Sequence, residues 1–297
     1  MSSPAEALKN EGNARKAGGD LAGAAECYRR ALEAEPDYVA ALYNLGLVLR
    51  EQQELAEAEA CFRRVLELEP RDVEALFNLA ALLRRRLSLD EAAGFYRRAI
   101  ELAPDNASLW LMLGEVGLAR YSDESLKEAI DCFTRASQLR PDLADAHYGL
   151  GQACEYEGRH AEALAAYQHA LRLDPGNTGI RTALLTEKQR VCDWQGLEAL
   201  YSEVRRDVVE RPAQPVHPFS LLAIPSTPAE QRLCAGNYAQ AIMRSVASQR
   251  QAMNLRFERS GREKWGGGGL AAAVGGPATP HPPAAPGARH ARPPPPG

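Results

Sequence analysis

No stretch of this 297-residue chain stays apolar long enough to cross a membrane, and its first residues lack the basic-then-apolar order of a secretory leader. Charge of one sign is missing too. The 35 Lys and Arg face 39 Asp and Glu, a net charge of −4, with no basic stripe interleaved with aromatics, which argues against a nucleic-acid partner. The six cysteines show neither CxxC spacing nor paired histidines, so no metal site or cofactor is expected. Cys27, Cys61 and Cys132 recur at one register position, as small apolar residues of a reduced compartment do. Residues 266–297 contain no acidic residue and no strand-like alternation; Gly266–Gly269 follow no strand and precede no helix, so they are no phosphate cradle. The expectation is a soluble, cytoplasmic protein with no membrane, nucleic-acid or metal partner.

What is present is repetition. Pro36, Pro70, Pro104, Pro141 and Pro175 are separated by 34, 34, 37 and 34 residues. Before each stand a small residue and an aromatic at fixed distances: Ala24 and Tyr28, Ala58 and Phe62, Ala92 and Tyr96, Ala129 and Phe133, Ala163 and Tyr167. Further upstream lie Leu45-Gly46, Leu79-Ala80, Leu113-Gly114 and Leu150-Gly151, with Glu11-Gly12 as the weakest copy. A small residue on one helix lets a second approach, the aromatic fills the gap between hairpins, and proline stops the second helix. The pattern resembles the tetratricopeptide repeat, which implies an all-α solenoid, a right-handed superhelix of helical hairpins. Five repeats are expected at 5–38, 39–72, 73–106, 107–143 and 144–177. The first, with Glu11 and Arg15 at apolar positions, reads as a polar cap. The three extra residues of the fourth are placed in a bulging turn around Tyr121–Ser125.

In such hairpins the first helix lines the concave face. Asn10, Asn44 and Asn78 recur there at 34-residue intervals, an amide ladder able to grip the backbone of an extended peptide. Met112 and Gly149 hold the same register later on, so the ladder stops halfway. Tyr43, Phe77, Leu111 and Tyr148 stand one position earlier, with Lys9, Lys16, Arg50 and Arg84 nearby, an apolar and basic groove suited to acidic or aromatic segments. Two readings stay open: peptide-contacting amides, or amides that merely bridge neighbouring helices, with the basic residues forming a solvated face. Replacing Asn44 and Asn78 together is expected to weaken partner binding and spare thermal stability.

Beyond the repeats the pattern predicts a helix over 178–189 that covers the last hairpin, a second running to about Glu210, and a third, capped by Ser226 or Thr227, through Ala241. Cys192-Asp193-Trp194, then Val216-His217-Pro218-Phe219-Ser220-Leu221-Leu222 and a helix ending Tyr238-Ala239-Gln240, resemble the O-linked N-acetylglucosamine transferase family, including SPINDLY-type and bacterial relatives. The resemblance covers about residues 5–265. It implies repeats that present protein substrates, an asparagine ladder on the peptide backbone at Asn10, Asn44 and Asn78, and catalysis in two Rossmann-like lobes after residues 178–265. Those lobes have no counterpart in 266–297, where a disordered Pro/Gly/Ala-rich tail is expected instead. A frameshift or premature end accounts for the change at Trp265; a natural tail with Pro293–Pro296 as a polyproline ligand is the rival. No catalytic residue is assigned: His217 reads as a linker turn, and His147, in register with Trp110, as a packing histidine. The resulting expectation is a module binding a partner segment on its concave face, with a truncated glycosyltransferase as the alternative and homo-oligomerisation through the convex face left open.

Overall fold

The computed structural model describes residues 3–252, the last five by their backbone alone. The tail expected at 266–297 lies outside the described residues, as does the end of the 178–265 stretch. Among the described residues there are fourteen α-helices and no strand, and no helix is long and apolar enough to cross a membrane. Ten of them pair into five hairpins: α1 (Pro4–Ala17) with α2 (Leu21–Ala34), α3 (Val39–Glu51) with α4 (Leu55–Leu68), α5 (Val73–Arg85) with α6 (Leu89–Leu102), α7 (Ala107–Arg120) with α8 (Asp123–Leu139), and α9 (Ala144–Tyr156) with α10 (His160–Leu173).

The repeated residues explain the stacking. Ala24, Ala58, Ala92, Ala129 and Ala163 are fully buried, and so are the rings of Tyr28, Phe62, Tyr96, Phe133 and Tyr167. Each ring presses on the small residue of the first helix. A Cβ added at Gly12, Gly46, Gly114 or Gly151 would meet the ring of Tyr28, Phe62, Phe133 or Tyr167 at 2.9 Å or less. The second helices end two residues before each proline, and the intervening residue leaves the helical region, with φ −127 to −144 and ψ 68 to 89, as the proline ring demands.

One device was not visible in the sequence. Gly19, Gln53, Leu87, Tyr121 and Gly158, in the turns between paired helices, all have positive φ, and Cys192 continues the series. Cys192 follows Gly158 by 34 residues, so α11 (Thr178–Arg190) ends as the first helix of a sixth hairpin does. A second regularity runs along the outer helices: Arg29 reaches Glu57, Arg63 reaches Glu91 and Arg97 reaches Glu128, at 3.1, 2.6 and 2.7 Å. These half-exposed pairs each contribute at most about 1 kcal/mol. The series stops where the next arginine would stand, at Thr134.

Two expectations are corrected. The three extra residues of the fourth repeat do not bulge from its turn, which is only Tyr121–Ser122. They lengthen α8 to 17 residues against 14 for its counterparts, because Ser122 and Ser125 form a capping box and leave Leu126 and Ile130 facing the core. The final helix, α14 (Pro228–Ala252), runs past Ala241. Thr227, not Ser226, caps it, exchanging bonds with Glu230 in both directions.

After α11, α12 (Leu197–Glu210) packs on it, and α14 packs on both α12 and the short α13 (Pro218–Leu222). The α11–α12 junction is polar and buried: Arg181 is held by Asp207, Glu203 and the Pro175 carbonyl. Trp110 and His147 bond the carbonyls of Pro104 and Pro141 in the same way, each six residues after its proline. His147 also stacks on His169 at 4.1 Å.

Candidate functional site

The first helices touch one another at α1–α3 and α7–α9, and their shared face carries the ladder register. The three asparagines on it are in different states. Asn10 is exposed on α1. Asn44 is half-buried on α3; one N–H goes to the Asn13 side-chain oxygen (3.1 Å), which also accepts the Tyr28 hydroxyl (2.8 Å). Its second N–H and its carbonyl oxygen make no hydrogen bond among the described residues. Asn78 is buried and fully engaged: its amide donates to the Tyr43 hydroxyl (3.1 Å) and the Glu74 carbonyl (2.8 Å), while its oxygen accepts from Arg50. Asn78 therefore ties α3 to α5.

At the fifth register position, Gly149, an asparagine is excluded for a steric reason. A Cβ at Gly149 would lie 2.5 Å from the ring of Phe133, which leans across from the preceding hairpin; no asparagine fits there. Met112 instead packs against the core.

The neighbouring aromatics brace the hairpins from the same face. Tyr43 meets Phe62 edge-on at 5.8 Å, Phe77 meets Tyr96 at 6.0 Å, and Tyr148 lies 5.9 Å from Tyr167, each half-buried. Leu111 is buried. Burial pushes the Tyr43 and Tyr148 phenols above the usual range. The basic residues are less free than their sequence suggests. Lys16 lies 3.7 Å from Glu51, Arg84 lies 2.9 Å from Glu115, and Arg50 is bound to Asn78; Lys9 is half-buried. Burial raises the Glu115 carboxyl despite its arginine. In one register Lys16, Arg50 and Arg84 give way to Leu118, Glu155 and Gln189, so this register loses its positive charge along the stack.

At its far end is a crevice of ≈ 260 Å³, lined by Tyr148, Glu155, Gly179, Thr182, Ala183, Thr186, Pro215 and His217. Thr182, Ala183 and Thr186 are the α11 counterparts of Tyr43, Asn44 and Leu47, 34 or 37 residues per step. Glu155 there accepts the Tyr167 hydroxyl (2.7 Å) and pairs with Arg190 (2.9 Å). His217 accepts the Phe219 N–H at the start of α13 and stands edge-on to Tyr238 at 4.8 Å. Sequence reading overlooked Asn13 and this crevice; the 34-residue register extended through 182–189 was the available signal. Among the described residues no three His, Cys, Asp or Glu side chains form a metal-binding group.

Stacked helical hairpins with a continuous first-helix face define an α-solenoid of the kind that serves as a protein-binding scaffold. A tetratricopeptide repeat family model matches residues 9–66, 49–107 and 116–178, and the chain belongs to that family. Human tetratricopeptide repeat protein 28 is 24% identical over 116 residues, 39% of this chain and 4% of that protein. The small glutamine-rich tetratricopeptide repeat-containing protein 2 of Mycosarcoma maydis is 35% identical over 63 residues, 21% of this chain and 18% of that one. The chain thus spans a small part of these curated relatives. Among solved structures, a tetratricopeptide repeat protein of Parabacteroides merdae superimposes with a TM-score of 0.64 at 16% identity, covering 84% of this chain and 99% of that one. YrrB, described as having an unusual peptide-binding site, gives 0.54 at 22% identity over 61% and 90%. MamA gives 0.53 at 24% over 55% and 94%. At these identities the likeness is one of fold.

Proposed function

We propose that this protein is a protein–protein interaction module that holds an extended partner segment on the face of α1, α3, α5, α7 and α9. The observation that carries this reading is Asn44, half-buried on α3, whose second N–H and carbonyl oxygen make no hydrogen bond among the described residues. A side-chain amide so placed offers the donor and acceptor that an extended backbone needs, whatever its side chains. Asn78, Tyr43 and Arg50 form the wall that fixes this register, and Phe77, Arg84 and Tyr148 continue it. The description of YrrB as a repeat protein with a peptide-binding site is consistent with this use of the fold.

Kinship with O-linked N-acetylglucosamine transferases rests on residues 191–241 alone. The family matches end at residue 178, and none of the relatives named above carries a transferase's name.

The test is a random-peptide display selection on the full chain, followed by titration of one selected peptide against point variants. Asn44→Ala is expected to weaken binding by about tenfold, ~1.4 kcal/mol, with an unchanged melting temperature. Asn78→Ala is expected to lower the melting temperature, since it leaves the Tyr43 hydroxyl and Arg50 without their partner. Peptides that bind the Asn44→Ala, Tyr43→Ala and Arg84→Ala variants as tightly as the wild type would overturn the assignment.

A further inference from the structure

The ladder face does not end at α9. It continues onto α11, where Thr182, Ala183 and Thr186 repeat the positions of Tyr43, Asn44 and Leu47. On α11, however, the face is covered by the chain itself. After α12 the backbone turns, with the Gln214 N–H on the Arg211 carbonyl (3.0 Å), and Arg211 itself bonds the Gly176 carbonyl (2.8 Å). The Gln214 side-chain oxygen accepts the Thr178 N–H at the start of α11 (3.2 Å). Pro215 and His217 then wall the crevice over Thr182, Ala183 and Thr186, while Val216 between them is buried in the core and its carbonyl accepts the Cys234 thiol. At the far end of α11 the Gln189 amide donates to the Ala223 carbonyl (3.1 Å). Alternation of side chains to two faces, an amide pairing at one end and an extended His217 (φ −67, ψ 131) are how a bound extended segment looks.

We propose that Gln214–His217 is a resident ligand of the last section of the binding face, and that a partner segment of the same chemistry competes for this section. That chemistry is an extended stretch with a hydrogen-bond acceptor side chain, then proline, then a small apolar residue and a ring: Gln-Pro-Val-His in this chain. The proposal rests on the reading of the first-helix face given above and names the partner class for one part of it. Because the resident is tethered, its local concentration is on the order of millimolar, and a free segment must outcompete it. The wild-type section is therefore closed to weak ligands and open to strong ones.

The probe is a fluorescein-labelled peptide of residues Arg211–Ser220, titrated by anisotropy into the full chain. The wild type is expected to bind weakly. Val216→Ser, which loosens the resident segment, is expected to bind the peptide about tenfold more tightly, ~1.4 kcal/mol. Adding Ala183→Arg, which fills the crevice, is expected to abolish that gain, whereas adding Gly94→Ala, on α6 with no atom within 4 Å of the added carbon, leaves it intact. The groove over α1–α9 is tested separately by the selected peptides and the Asn44→Ala variant, so failure here leaves that reading untouched. The paired variant Gln214→Ala/His217→Ala supplies the same readout with the core contact kept. Equal peptide binding by the wild type and either folded loosened variant would overturn the proposal. So would unfolding of both variants, since the segment would then be core rather than a replaceable occupant.

Discussion

Gly149→Ala tests the packing logic of the stack, because this glycine sits on the ladder register yet faces the ring of Phe133. An added Cβ would lie 2.5 Å from two ring carbons, where ordinary contact begins at 3.4 Å, so the ring must retreat by 3.4 − 2.5 = 0.9 Å. It has nowhere to go. Phe133 is fully buried, and its other flank fills the space above Gly114, where a Cβ would lie 2.7 Å away. Overpacking of this kind costs about 1–3 kcal/mol, offset by about 1 kcal/mol of helix propensity gained on replacing glycine. The expected net loss is up to about 2 kcal/mol, a fall in apparent melting temperature of up to about 8 °C for a domain of this size. Gly94→Ala is the control. It lies within α6 with no atom within 4 Å of the added carbon, so only the propensity gain remains and the midpoint should rise by about 1–4 °C. Thermal unfolding followed by helix circular dichroism compares the two. A Gly149→Ala chain that melts with or above Gly94→Ala would refute the account of why no asparagine stands at Gly149. Phe133→Leu should relieve the clash, so the Phe133→Leu/Gly149→Ala pair should be more stable than the two single losses summed.

Leu87 holds a left-handed turn conformation while 78% exposed, where the equivalent Gly19 and Gly158 pay no steric cost; Leu87→Gly should stabilise by about 1 kcal/mol in urea unfolding, and a destabilisation would count against the shared turn geometry. Arg181→Met removes a partner of the buried Asp207 and should cost about 3 kcal/mol, with hydrogen exchange accelerating first in α11 and α12; uniform acceleration along the stack would contradict a local latch. At alkaline pH, burial pushes the Cys61 thiol to about 11 and the Cys132 thiol and Tyr96 phenol to about 12, from ordinary values of 9.0 and 10.0. These groups bind protons more tightly when folded, so their contribution is complete below about pH 9 and is lost as pH climbs toward 12. The tyrosinate absorbance that Tyr96→Phe removes should therefore appear together with loss of helix, and a Tyr96 phenol titrating near 10 in a still-helical protein would refute its burial.

The periodic features were legible because each acts over a short span of chain. The prolines, the small-residue and aromatic pairs and the helices at 178–190 and 197–210 all follow from local sterics and 3.6-residue periodicity, which any window of the sequence displays. The extra residues of the fourth repeat were located correctly but assigned to the wrong element. Both a turn and a helix accommodate three residues, and only the serine capping box at Ser122 and Ser125, with Leu126 and Ile130 turned inward, selects the helix. The extent of α14 was likewise unreadable, since Gly236 and the mixed residues after Ala241 carry no stop signal.

The candidate site was half legible. Register alone put Asn10, Asn44, Asn78 and the aromatics on one face, because identical positions in identical hairpins must align. Whether an amide on that face is free or consumed depends on residues about 30 positions away in the chain: Asn13 for Asn44, and Tyr43 with Arg50 for Asn78. The same holds for the arginines, whose partners, such as Glu115, come from the next hairpin. Sequence by itself therefore determined the repeat, its handful of packing residues and the register of the face. Tertiary structure alone decided which polar groups remain open, why Gly149 admits no asparagine, and that Gln214–His217 lies across α11, because these follow from distances between residues that the chain brings together only on folding.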